Sequence, residues 1–77
     1  MKNVTSTELA RFIGVAQPFL SQVRHGVRRF SSKKALEISR LTGIPVERLL
    51  FAEGHEIYRS LAVAYSYQRA QQQEAQP

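Results

Sequence analysis

Seventy-seven residues, no cysteine and a formal net charge of +5 set the first limits. A chain of this length holds one domain and buries only about 60% of its unfolded surface, so its core is small and a partner could add to it. Lack of cysteine excludes disulfide staples and thiolate metal sites and suits a reducing cytosol, while no run is long enough to span a membrane and the start lacks the apolar core of a signal peptide.

The first residues, MKNV, lack periodicity. Thr5-Ser6-Thr7-Glu8 has the spacing of a capping box, in which the Thr5 hydroxyl accepts from the Glu8 amide and the Glu8 carboxylate reaches back to Thr5. A helix is predicted over about Ser6 to Ile13, with Leu9, Ala10 and Ile13 inward and Phe12 beside them. Ala10 is small where a second helix must cross closely. Gly14 stands where a helix end needs positive φ. After the break Gly14-Val15-Ala16, a second short helix is predicted over about Gln17 to His25, ending at Gly26. Pro18 falls in its first turn, where a missing N–H costs nothing. Leu20 and Val23 face inward, leaving Ser21, Gln22 and Arg24 outward.

A third helix starts after Ser31 or Ser32 as cap and runs to Gly43. Its apolar residues Leu36, Ile38 and Leu41 cannot share one narrow stripe, which predicts burial over a broad face. Glu37 and Arg40 are near enough on it to form an ion pair. Pro45 is predicted as the first residue of a short fourth helix with Val46, Leu49 and Leu50 as its apolar face, broken at Glu53-Gly54. A fifth helix is predicted over about His55 to Gln68, with Ile57, Leu61, Ala64 and Tyr65 at helical spacing. The domain is thus drawn as residues 1–68, with 69–77 as a flexible glutamine-rich tail. There is no strand pattern and no internal repeat, so the fold class is all-α.

Charge distribution says more than the total. From Leu9 to Leu36 there are six bases (Arg11, Arg24, Arg28, Arg29, Lys33 and Lys34) and no acid; the rest holds five bases and six acids. Such asymmetry is the electrostatic footprint of a polyanion-binding face. The chemistry of catalysis is missing: no nucleophile–base pairing, no glycine-rich phosphate loop, no paired acids. His25 and His55 are read as having no carboxylate or cysteine at ligand spacing, so no metal and no cofactor is expected, and the chain is not read as an enzyme.

Two short helices joined by a tight glycine-containing turn is the helix-turn-helix layout. With Leu9-Ala10, Gly14-Val15, Gln17, Leu20-Ser21-Gln22, Gly26, the basic connector Arg28-Arg29, and Ala35, Ile38, Gly43 and Leu49-Leu50 in this order, the chain resembles the Cro/repressor-type helix-turn-helix family, the xenobiotic-response-element class. The match covers about Thr5 to Leu50. The resemblance implies a compact four- to five-helix, lambda-repressor-like bundle. The chain departs from the family in three places. Only four residues precede Thr5, where members usually carry a further helix. Ala16 stands where the second helix is usually capped by Ser or Thr. Pro18-Phe19 occupies positions where members often carry polar base readers.

The resemblance also implies function: sequence-specific binding of double-stranded DNA by a small transcriptional regulator of the repressor type, a cytoplasmic, nucleoid-associated protein of prokaryotic or phage type. The helix around 17–25 would enter the major groove. Gln17, Pro18, Ser21 and Gln22 are then the base-contact candidates, a glutamine amide matching the donor–acceptor edge of adenine. Ser6, Thr7, Arg24, His25, Arg28 and Arg29 are the phosphate candidates. Lys33, Lys34 and Arg11 are weaker ones. Phe19 either meets a thymine methyl or packs in place of the absent helix, and packing is preferred. Ile57, Tyr58, Leu61 and Tyr65 either form a homodimer surface or pack on their own domain. The alternative function is an antitoxin- or adaptor-type protein-interaction module that keeps the fold, with the Pro18-Phe19 surface offered to a protein partner.

Overall fold

In the computed structural model, residues 4–75 are described, with side chains to residue 70. The first helix begins as the residue types require. Thr5 is extended (φ −85°, ψ 156°), its hydroxyl accepts the Glu8 amide at 3.1 Å, and the Glu8 carboxylate accepts the Thr5 amide at 3.4 Å. Helix α1 (Ser6–Ile13) buries Leu9, Ala10 and Ile13 and stops at Gly14, which is left-handed at φ 77°. The amides of Gly14 and Val15 both turn back to the Ala10 carbonyl.

Helix α2 (Gln17–Arg24) follows after three residues and buries Leu20 and Val23. It ends one residue before His25, in a Schellman arrangement: the Gly26 amide donates to Val23 O and the Val27 amide to Gln22 O, at 3.1 and 2.8 Å. Helices α3 (Ser32–Thr42, capped by Ser31) and α4 (Val46–Phe51) come next, and α5 (Gly54–Ala75) closes the chain. No strand occurs among the described residues, so the domain is an all-α bundle of five helices.

The core collects Leu9, Ala10 and Ile13 from α1, Leu20 and Val23 from α2, Ala35 and Ile38 from α3, Leu49 from α4, and Ile57 and Leu61 from α5, with Phe30 and Ile44 from the connectors. Helix α5 lies against α1, α2 and α3. Ile57 and Leu61, 1% and 0% exposed, therefore belong to their own domain's core rather than to a free surface. Phe30 was not expected there. It enters from the loop after Gly26 and stacks on Phe19 with ring centres 5.9 Å apart, which places Phe19 with the packing reading.

Several expectations are corrected. Helix α3 does not bury a broad face: Leu36 and Leu41 are 43% and 42% exposed, and only Ala35 and Ile38 are buried. Pro45 is the cap before α4, extended at ψ 141°, not its first helical residue. Gly54 is not a break but the first residue of α5. The tail drawn at 69–77 begins inside that helix, whose backbone continues to Ala75, and Gln76 and Pro77 lie outside the described residues. No helix among the described residues is long and apolar enough to cross a membrane.

Gly54 fixes how α5 meets α2. A Cβ on Gly54 would fall 2.1 Å from Val23 O and 2.5 Å from Arg24 O, so only hydrogen fits between α5 and the last carbonyls of α2. This close approach holds the end of α2 and thereby the direction in which its outer face points.

Candidate nucleic-acid interface

Because Leu20 and Val23 are drawn into the core, helical spacing gathers Gln17, Pro18, Ser21, Gln22 and His25 on the opposite face of α2. All are exposed except Ser21, which is half-buried. The Gln17 and Gln22 amides make no hydrogen bond among the described residues, so both donor and acceptor remain open. Ala16 is extended and supplies no side-chain cap to the first turn of α2. The Gln22 main chain, in contrast, is used: its carbonyl holds the Val27 and Arg28 amides and pins the basic connector to the helix.

The bases divide into two groups. Arg11, Arg28 and Lys33 are exposed and their side chains make no hydrogen bond or ion pair among the described residues. Arg24, Arg29 and Lys34 have structural tasks. The Arg24 guanidinium lies over the Tyr58 ring, 4.3 Å from its centre. One nitrogen of Arg29 donates to Leu50 O at 2.7 Å and Ala52 O at 3.1 Å, closing the carbonyl end of α4. Lys34 reaches back to Gly14 O at 3.4 Å and pairs with Glu37 at 3.1 Å. Glu37 thus pairs with Lys34 and not with Arg40, because the i−3 base can touch both the carboxylate and the α1–α2 turn.

Ser6 and Thr7 sit in the first turn of α1. Thr7 is exposed, while the Ser6 hydroxyl is hydrogen-bonded to the Tyr58 hydroxyl at 3.0 Å. Tyr58 accordingly joins two candidate phosphate contacts from different helices, Ser6 and Arg24. The sequence offers Tyr58 only as a homodimer or own-domain packing residue, and nothing local to it points to α1 or α2. Tyr65 is also turned to α1: its hydroxyl donates to Glu8 at 3.2 Å and its ring lies against Phe12.

Of the two acids that flank the basic run, Glu37 pairs with Lys34 inside it, whereas Glu8 is held by other partners. Glu8 is bonded to Thr5, Tyr65 and Arg69. The Thr5 side-chain and backbone bonds, chiefly, hold its carboxyl below its ordinary value of 4.5, with Tyr65 and Arg69 adding to the same effect. A second acidic group was misread from sequence. Glu53, His55 and Glu56 bring their ligand atoms within 4.8 Å of one another, so His55 does have carboxylates at ligand spacing. All three are exposed at the positive end of α5, where the helix dipole opposes a cation.

Comparison with known proteins finds no matching family model, no matching curated protein and no matching solved structure.

Proposed function

We propose that the chain is a helix-turn-helix DNA-binding module of the Cro/repressor type, acting as a small transcriptional regulator, with α2 as the helix that enters the major groove. The observation that carries the reading is the outer face of α2. Gln17, Pro18 and Gln22 stand exposed, and the glutamine amides have no intramolecular partner. In the connector that follows, the Arg28 side chain is likewise unpaired among the described residues, and the sequence from Leu9 to Leu36 contains no acid. Polar groups able to read base edges, with a basic sequence able to hold phosphates, are what duplex recognition needs. Arg28 is the strongest phosphate candidate, and Arg29, tied to the end of α4, is the weakest.

For the alternative, an antitoxin- or adaptor-type module, Pro18 stays exposed while the Phe19 ring, half-buried, stacks on Phe30. A homodimer on a two-fold site also remains a proposal. Its surface would exclude Ile57 and Leu61, which the core consumes.

Selection from a randomised duplex pool tests the reading. Enrichment of a defined site, with affinity falling steeply as salt rises, is the expected result. Weak binding with nothing enriched would reject sequence-specific recognition.

A further inference from the structure

A groove of about 520 Å³ runs between the α3–α4 turn, α4 and the middle of α5. Its apolar lining includes Ile44, Pro45 and Val63, with Tyr67 alongside, and Arg48 and Arg59 stand at it as cations. Val63 and Tyr67 are each 64% exposed. Arg48 and Arg59 are exposed and their side chains have no hydrogen bond or ion pair among the described residues, and no acid is among the groove's lining residues. Of the α5 residues that line it, Arg59, Ser60, Val63 and Tyr67 are spaced so that they lie across the helix from Tyr58, Tyr65 and Arg69, which engage α1, with Ala64 at the edge. The groove is therefore a separate surface from the outer face of α2.

From this juxtaposition we infer that the groove between α4 and α5 is a docking site for an acidic segment of a partner protein, one that carries an apolar side chain flanked by carboxylates. The volume lies in the range of sites that take a few side chains. Arginine and tyrosine beside apolar side chains are the residue types that anchor protein partners. The two free guanidiniums supply the complement for carboxylates, which a planar fork holds in two parallel bonds. A second copy of this chain is the poorer occupant. A two-fold interface opposes each patch to itself, which would set the Arg48 and Arg59 of one copy against the same arginines of the other. The inference does not depend on DNA binding, and a bound segment would leave α2 open.

The test is selection of random dodecapeptides from a displayed library by the full chain. The expected consensus joins acidic residues with one or two large apolar ones. An enriched peptide, resynthesised, should lose about tenfold in affinity for the double variant Arg48→Glu, Arg59→Glu, since each reversal replaces an exposed attraction with a repulsion. Arg48→Ala with Arg59→Ala should lose less, and both proteins should keep the parent's circular dichroism. Arg28→Glu with Lys33→Glu should leave the affinity unchanged. The inference is overturned if no peptide enriches or if the consensus lacks acids. It is equally overturned if the α2-side reversals abolish binding while the groove reversals do not. Sedimentation equilibrium gives an independent check: a parent dimer whose groove residues are protected would mean that a second copy, not a partner, occupies the site.

Discussion

The Arg24 guanidinium rests 4.3 Å above the centre of the Tyr58 ring, and the hydroxyl of the same tyrosine bonds Ser6 at 3.0 Å. One side chain of α5 thus ties the first turn of α1 to the last turn of α2. Tyr58→Phe keeps the ring and removes the Ser6 bond, an expected cost of about 1 kcal/mol in urea unfolding. Ser6→Ala added to it should cost little more, because the bond is already gone. Tyr58→Leu should lose about a further 0.5–1 kcal/mol from the contact with Arg24. Simple additivity of the Ser6 and Tyr58 variants would show that the bond contributes nothing.

Gly54 gives a result opposite in sign to helix propensity. Alanine at an exposed helical glycine gains about 1 kcal/mol. Here its Cβ would meet backbone, 2.1 Å from Val23 O. Neither helix end can yield as a flexible side chain could, so Gly54→Ala is expected to destabilise by about 1–3 kcal/mol. Thermal unfolding checks this, and an unchanged or raised midpoint would mean that α5 does not approach α2 so closely.

Arg28 and Arg29 are neighbours with different work. Arg29→Ala removes two bonds to the carbonyl end of α4 and is expected to cost about 1 kcal/mol of stability. Arg28→Ala should leave stability unchanged. On DNA the order reverses: Arg28→Ala should weaken all duplexes alike and flatten the salt dependence by about one unit of slope. Paired unfolding and binding curves for the two variants distinguish these roles.

Glu8 makes the cap of α1 sensitive to acid. Its carboxyl titrates lower in the folded chain than at its ordinary 4.5, because Thr5 bonds the charged form. Below 4.5 the unfolded chain therefore binds a proton that the folded chain does not, and stability contributed by Glu8 above 4.5 is lost as the pH falls through the folded value. Glu8→Gln should show a shallower fall in unfolding midpoint between about pH 5 and pH 3. An equal fall in both proteins would assign acid sensitivity to other groups.

How far the sequence could be read follows from the range of each interaction. The capping box at Thr5–Glu8, the left-handed Gly14, Gly26 and Gly43, and the inward pairs Leu9–Ile13 and Leu20–Val23 are set within a few residues, and all were legible. Leu36 and Leu41 were misjudged because periodicity measures how apolar a helix is, not whether a neighbour covers it. Gly54 was taken as a break because only contact with α2 shows why glycine begins a helix there. The tasks of Arg29 and Lys34 depend on carbonyls 20 or more residues away in sequence. Of the α2 face, helical spacing marks Ser21, Gln22 and Arg24 as outward and the family resemblance adds Gln17 and Pro18, whereas the Ser6–Tyr58–Arg24 linkage has no local sign.

The most direct measurement compares the parent with Gln22→Ala on a duplex selected by the parent and on random duplex, at two salt concentrations. If α2 reads bases, the variant loses about 1–3 kcal/mol on the selected site and nothing on random DNA, with the salt slope unchanged. Equal losses on both duplexes, or none on either, would contradict a reading role for Gln22 and with it the placement of α2 in the groove.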